Sequence, residues 1–489
     1  MRKILLGTTA VVSAVVGGAM MAPQASAQTA PTVRIGGSFQ ALYGYTNQTS
    51  QQSITSSGLP TGVGGGSVFV PAGTPTVLGS NVVGATNIAR LGKHDISSNA
   101  SVDVIVNGKL ANGLTYGANI SINGNALEGR GLGSANRSNP GKTSMQIDEM
   151  YAFIAHPRFG QVRMGDEDGV MGGLMNSGFV AGFGTGGVHG AWEGFVGRQG
   201  GGRTTTAPGG LGDASKILYM SPQFAGFDFG ASFAPNFNSG QGNGCPNDSA
   251  SSFCDRAIAF SGARSAGIPA AGSDFAARRN EYQIAARWRG NVAGVGIAGT
   301  VGYIGAGAAR DLTANGQQFR VLNDLNIWQA GVQASFAGFT LGAAYTYGDF
   351  NFFWGNTVRG DRPAEQLYVG GQYVAGPITV GANFVTGLFE GGNRTSFAEN
   401  AAGTTLTAGQ ARPAAFNPVT GVGANSLAGQ RRWGMGIGAN YRLAPGMDLI
   451  AEYVHYSVRE QGRDLDGNRP GIQSRSFANI FLTGVRLAF

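Results

Sequence analysis

The sequence predicts an all-β fold, a transmembrane antiparallel β-barrel of about sixteen strands, from three observations. Segments of period-two alternation recur in pairs around short turns. Long stretches rich in Gly, Ser, Thr and Asn separate the pairs. In the last nine residues Phe481, Thr483, Val485, Leu487 and Phe489 share one face, and Leu482, Gly484, Arg486 and Ala488 the other. A strand that closes a barrel, with lipid on one side and water on the other, has that pattern and an aromatic end.

The N-terminus is read with this ending. Arg2 and Lys3 precede an apolar stretch from Ile4 to Met21, and Ala25-Ser26-Ala27 supplies small residues for cleavage. The expectation is a signal peptide over residues 1–27, removed before Gln28. As a retained helix the stretch is near the lower length limit for spanning and is diluted by Gly7, Thr8, Thr9, Ser13, Gly17 and Gly18. No later stretch is apolar enough to span as a helix, which leaves a barrel. Residues 28–489 then form one domain.

Composition narrows the function classes. Glycine makes up 84 of 489 residues, about 17% against a typical ~7%, which suits curved strands and loops crowding a lumen. Charged residues are only 12%, which excludes a highly charged disordered chain, and no collagen period exists. The net charge of +7 is spread without basic runs and falls by two when Arg2 and Lys3 leave. Nucleic acid is therefore not an expected partner; acidic lipopolysaccharide head groups and anionic solutes are. Cys245 and Cys254 lie in a Gly/Asn/Ser-rich segment and read as one disulfide stapling a surface loop in an oxidising compartment. Two cysteines without nearby histidines make no usual zinc site, and neither a metal nor a cofactor is implied.

The strands follow from alternation. From Thr32 to Tyr45, Val33, Ile35, Phe39, Ala41, Tyr43 and Tyr45 alternate with Arg34, Ser38 and Gln40. Ala100, Val102, Val104 and Val106 alternate with Ser101, Asp103 and Asn107. A turn at Ala111-Asn112-Gly113 leads into Leu114, Tyr116, Ala118, Ile120 and Ile122, which alternate with Thr115, Asn119, Ser121 and Asn123. Further short turns are expected near His156–Gln161, Pro222–Gly226, Gly290–Gly294, Ala337–Gly338, Ala375–Pro377 and Leu443–Gly446. Long loops are expected over roughly 47–95, 124–144, 166–215, 235–279, 304–324, 348–364, 387–430 and 459–474. Short turns at one end and long loops at the other is the outer-membrane asymmetry. Tyr43, Tyr45, Tyr151, Trp288, Trp328, Tyr345, Tyr347, Trp433 and Tyr441 are expected near strand ends on the lipid face.

Several segments resemble the general porins of Gram-negative bacteria, in their alphaproteobacterial form. They are Asp148-Glu-Met-Tyr-Ala-Phe153, Phe159-Gly-Gln-Val-Arg-Met-Gly-Asp-Glu-Asp-Gly169, Tyr219-Met-Ser-Pro-Gln-Phe-Ala-Gly-Phe-Asp-Phe-Gly230, Gly376-Pro-Ile-Thr-Val-Gly381 and the terminal strand. The resemblance implies a sixteen-stranded barrel, usually a homotrimer, passing small hydrophilic solutes by passive diffusion. It also implies that the third long loop, here about 166–215, folds inward as a constriction. Its acids are then Asp166, Glu167, Asp168 and Glu193, and charges lining a narrow passage decide ion preference. Candidate basic residues on the facing wall are Arg287, Arg289 and Arg432, with Arg34 and Arg486 nearer the periplasmic rim.

Other motifs weigh less. Gly182-Phe-Gly-Thr-Gly-Gly187 matches a dinucleotide fingerprint but lacks its strand–helix surroundings. Asp166-Glu-Asp-Gly169 and Asp464-Leu-Asp-Gly-Asn468 resemble the start of a calcium loop but lack its closing glutamate. A lipid-hydrolysing barrel needs a serine beside a histidine. Of His94, His156, His189 and His455, the first and third are expected in loops, the second at a periplasmic turn, and only His455 on the outer face. No Gly-x-Ser-x-Gly elbow accompanies it, so the chain is not read as an enzyme. The alternatives are an anion- or sugar-selective channel, with Phe179, Phe183, Trp192 and Phe195 as a possible aromatic track, and a non-transporting surface adhesion or structural barrel.

Overall fold

The computed structural model describes residues 29–49, 52–56, 86–90, 92–125, 144–196, 214–236, 278–308, 323–350, 354, 357, 362–389, 429–459 and 475–489. The expected signal peptide and the Cys245–Cys254 pair lie outside the described residues. The strands are β1 (Thr29–Gln48), β2 (Gln52–Ser56), β3 (Thr86–Arg90), β4 (His94–Lys109), β5 (Thr115–Asn125) and β6 (Ser144–His156). Then come β7 (Gly160–Glu167), β8 (Ala214–Met220), β9 (Phe227–Asn236), β10 (Arg278–Val292), β11 (Val295–Ala308) and β12 (Leu325–Phe336). The last are β13 (Phe339–Asp349), β14 (Ala364–Ala375), β15 (Ile378–Phe389), β16 (Gln430–Ala444), β17 (Met447–Arg459) and β18 (Arg475–Ala488).

Sixteen of these strands close into one antiparallel barrel, in the order β1-β18-β17 and onward down to β4, while β2 and β3 pair separately. Closure is made where β1 pairs with both β18 and β4, so that Tyr43 lies opposite Thr483 on one side and Ile96 on the other. Phe489 and Gly37 exchange two backbone hydrogen bonds of 3.1 and 3.0 Å at that seam. A closed ladder leaves no strand edge to face lipid, which is why a barrel can span a bilayer.

Local sequence explains the turns and the alternation. The β12–β13 turn, Ala337-Gly338, takes φ of 47° and 87°, both positive as a tight hairpin of the strands' own twist requires. Along β17, Leu449, Ala451 and Tyr453 are exposed and Ile450, Glu452 and Val454 are buried, the period of two that separates outer from inner face. Phe481, Leu487 and Phe489 are exposed on the outer face, and Val485 is partly exposed at the same parity. His455 also points outward, its Nδ1 2.7 Å from Asn479 Oδ1.

Three sequence expectations change. Asp166 and Glu167 belong to β7, paired with β6 and β8, so the third loop begins at 168 and ends before Ala214. His94 starts β4 opposite Tyr45 instead of lying in a loop. Tyr151 faces the lumen. The register slips between Ser121 and Ile122 against β6, leaving Asp148 as an extra residue. Such a bulge inverts parity: Met145 and Ile147 point outward before it, Met150 and Ile154 after it, and Glu149, Tyr151 and Phe153 turn inward.

Candidate functional site

The third loop enters the lumen because its strands stop early. β7 has 8 residues and β8 has 7, against 13 in β6 and 15 in β10, so the chain leaves the wall below the outer rim. It then runs along the inside of the barrel from β9 round to β1. Val170–Leu174 forms one π-helical turn, and Gly187–His189 and Ala191–Phe195 form 3-10 turns.

Wall side chains take up the loop's backbone groups along this path. Gln283 Oε1 on β10 accepts from Met171 N and Gly172 N at 2.9 and 3.3 Å. Thr300 on β11 donates to Met175 O at 2.8 Å and lies 2.7 Å from the Ser177 hydroxyl. Tyr368 on β14 donates to Val180 O at 2.7 Å, and Asn383 on β15 accepts from Val188 N at 2.9 Å. Glu452 on β17, 2% exposed, accepts from the N–H groups of Thr185, Gly186 and Gly187 at 2.8, 3.2 and 2.8 Å, and from the Thr185 hydroxyl at 2.6 Å. The Gly182–Gly187 stretch is thus an anion nest whose anion is a carboxylate of the protein itself.

Packing completes the seat. Met171 and Met175 join Leu218, Ile304, Leu325 and Ile327, while Trp192 and Phe195 join Leu42, Val454, Tyr456, Ile480 and Leu482. Lumen-facing glycines admit the loop's closest approaches. A Cβ at Gly302 would overlap Met171, at Gly331 the Ser177 carbonyl, at Gly381 Phe183, and at Gly44 Phe195. These wall glycines have this local use. The aromatic residues Phe183, Trp192 and Phe195 are buried between loop and wall, and Phe179 packs against Tyr368, so these rings form no exposed track.

The described part of the loop, 168–196, packs from β9 round to β1, and the inner wall of β4–β7 beside it is acidic. Asp103 lies opposite Ser121, Ser121 opposite Glu149, and Glu149 follows into the β7 level of Glu167. Asp103, Asp148, Asp168 and Arg163 all lie within electrostatic reach of Glu149. Arg163 bonds Glu167 at 2.5 Å and the Tyr151 hydroxyl at 3.2 Å, and its guanidinium sits 4.8 Å from the Tyr151 ring centroid. Glu167 and Asp166 are buried, whereas Asp103, Glu149 and Asp168 are partly open to the lumen. Sequence reading placed Asp103 on a polar face but did not assign Asp103, Asp148 or Glu149 to the passage. The run Asp148-Glu149 carried the signal, hidden by the bulge.

The other candidates lie elsewhere. Arg287 and Arg289 bridge to Asp228 at 2.7 and 2.8 Å, and Arg287 also donates to Leu174 O at 3.3 Å, clamping the loop's first turn to the wall. Arg432 is buried on β16, donating to Gln430 and, at 3.2 Å, to the Tyr456 hydroxyl; Glu193 lies within electrostatic reach of the same hydroxyl. Arg486 bridges to Asp448 at 3.3 Å near the short-turn end. Among the described residues, no group of three His, Cys, Asp or Glu side chains is placed to hold a metal ion.

A family model described as Gram-negative porin matches residues 8–461. Among solved structures, the chain is similar to a mutant form of Rh. blastica porin, at 14% identity and a TM-score of 0.42, covering 94% of this chain and 100% of that one. It is also similar to OmpT, an outer membrane protein of Vibrio cholerae, at 11% identity and a TM-score of 0.45, covering 95% and 100%. No curated protein matches it. With a family model spanning most of its length, the chain belongs to the Gram-negative porins, which are outer-membrane channels and not enzymes.

Proposed function

We propose that this porin is a homotrimeric, cation-preferring diffusion channel, inserted from the periplasm after removal of residues 1–27. A water-filled barrel pinched by a loop sieves small hydrophilic solutes down their gradients and requires no cofactor or energy source. The observation that carries the cation preference is the acidic row on the β4–β7 wall: Asp103, Glu149 and Glu167, with Asp168 where the loop departs. A narrow passage with low-dielectric surroundings focuses the field of such charges. In this reading Asp103, Glu149 and Asp168 act on the permeating ion. Asp166 and Glu167 are held in the β7 ladder, and Glu193 acts across the lumen near Arg432. Arg287 and Arg289 fix the loop, and acidic lipid head groups of the outer leaflet surround the barrel.

The outer surface supports the trimer. The outward faces of β9–β18 carry Phe229, Trp328, Phe336, Tyr345, Tyr441 and Phe481, rings suited to the bilayer interfaces. The outward faces of β4–β7 carry Val102, Val104, Ile120, Ile122, Met150 and Ile154 with Ala100, Ala118 and Ala152, and the aromatics Tyr116 and Phe159 only at the short-turn end. A smooth aliphatic face without an aromatic girdle suits a second copy of the chain better than lipid head groups.

The test is single-channel recording of the mature protein in a planar bilayer under a salt gradient. Ohmic steps that close in threes, with a reversal potential of cationic sign, are expected. A reversal potential of anionic sign would refute the assignment of the acidic row.

A further inference from the structure

On the outer face of β16–β18, at the long-loop end, three arginines stand side by side. Arg431 lies directly opposite Arg459, and Arg459 directly opposite Arg475. All three are exposed, and each has the parity of the outward residues on its strand. Neighbouring strands lie about 4.8 Å apart, so the three Cα atoms span only ~10 Å. Guanidinium groups so placed repel one another, and an anion shared among the three offsets that repulsion. The same register row continues to Leu388 on β15 and Glu365 on β14, so the basic character is confined to three strands. Glu365 has its own partner, Arg362, at 3.7 Å.

Directly below the arginines is an aromatic shelf. The next outward row is Trp433, Ser457 and Phe477, and the row below that Met435, His455 and Asn479. Trp433 packs on His455 with ring centroids 4.7 Å apart, and on Phe384 at 6.3 Å. Arg475 Nε reaches the Ser457 hydroxyl at 3.4 Å. Below the shelf come Ile437, Tyr453 and Phe481, an apolar face. From the rim downward the order is guanidinium, aromatic ring, hydrocarbon, which is the order of phosphate, sugar and acyl chain in an outer-leaflet glycolipid.

We infer that Arg431, Arg459 and Arg475 form a site for the phosphate groups of a membrane-anchored phosphoglycolipid, whose sugars rest on Trp433 and Phe477. Guanidinium forks match phosphate oxygens in geometry as well as charge. The inference rests on the outer-membrane reading above and makes a partner specific to one sector of the barrel.

The test uses the full mature protein in vesicles and a fluorescent lipopolysaccharide as probe. The triple variant R431Q/R459Q/R475Q is expected to bind it about tenfold or more weakly, with the deficit shrinking at high salt. Arg362→Gln, at the same end but outside the row, is expected to bind as wild type does. Lipopolysaccharide with its head-group phosphates removed is expected to bind wild type and the triple variant alike, and inorganic phosphate is expected not to compete. Equal binding of intact lipopolysaccharide by wild type and triple variant would overturn the proposal. Full competition by inorganic phosphate would overturn its assignment to a lipid. Single-channel conductance of the triple variant, expected to be unchanged, separates loss of this site from failure of the channel itself.

Discussion

Strands β4–β7 and strands β9–β18 make two different walls of one barrel. Inside, β9–β18 present glycines, apolar side chains and buried polar groups such as Gln283, Thr300, Asn383 and Glu452 that bond the loop's backbone, and the third loop lies on them. The β4–β7 wall presents Asp103, Asn119, Ser121, Glu149 and Arg163, and among the described residues the third loop does not pack on it. Outside, β9–β18 bear aromatic residues and β4–β7 bear aliphatic ones. The two divisions coincide. A loop needs a close, dry seat and a permeating ion needs a wet, charged one, so the lumen is divided by composition before any solute enters it.

The largest effect is expected at Glu452. Glu452→Ala leaves the Thr185, Gly186 and Gly187 N–H groups without their shared acceptor. A loss on the order of 3 kcal/mol is expected, with a loop that leaves the wall. The unheated form in detergent gels should then melt at lower temperature, and single-channel conductance should rise. Gly381→Val puts a side chain where Phe183 sits and should cost about 1–3 kcal/mol by overpacking. Gly299→Val, on the outward face of β11 where a Cβ would meet only the Gly331 carbonyl oxygen at an ordinary 3.9 Å, should stay within about 0.5 kcal/mol of wild type in the same melts. On the outer surface, if the proposed trimer forms through β4–β7, Ala152→Trp should shift the native-gel band from trimer to monomer. Ala286→Trp, on the aromatic-bearing side, should leave the trimer intact. The smallest effect is expected from Asp166→Asn, since that side chain is buried in the β7 ladder. Its reversal potential should stay close to that of wild type.

Much of the barrel was legible in the sequence because pairing in a meander is local. Turns such as Ala337-Gly338 are marked by their own residues, and alternation declares both faces of β17 or β18. The bulge at Asp148 was not legible, since one extra residue in a strand costs no pattern that a reader would miss, and it turned Tyr151 and Glu149 inward. Parity placed Arg287 and Arg432 on the inner face correctly but carried no information on partners. Asp228 and Tyr456 come from other strands and meet them only in the closed barrel. Gly182–Gly187 matched a dinucleotide fingerprint in spacing and was set aside for want of a strand–helix unit, yet its backbone does wrap an anion. That its anion is Glu452, far along the chain, depends on where the loop is laid.

Passage of ions along the acidic β4–β7 wall is read in the reversal potential of the double variant E149Q/D168N in a salt gradient. Both side chains are partly open to the lumen, and channels of near-normal conductance are expected. Their reversal potential should move toward the anionic side by more than that of Asp166→Asn. A double variant that conducts normally and keeps the wild-type reversal potential would contradict passage along that wall.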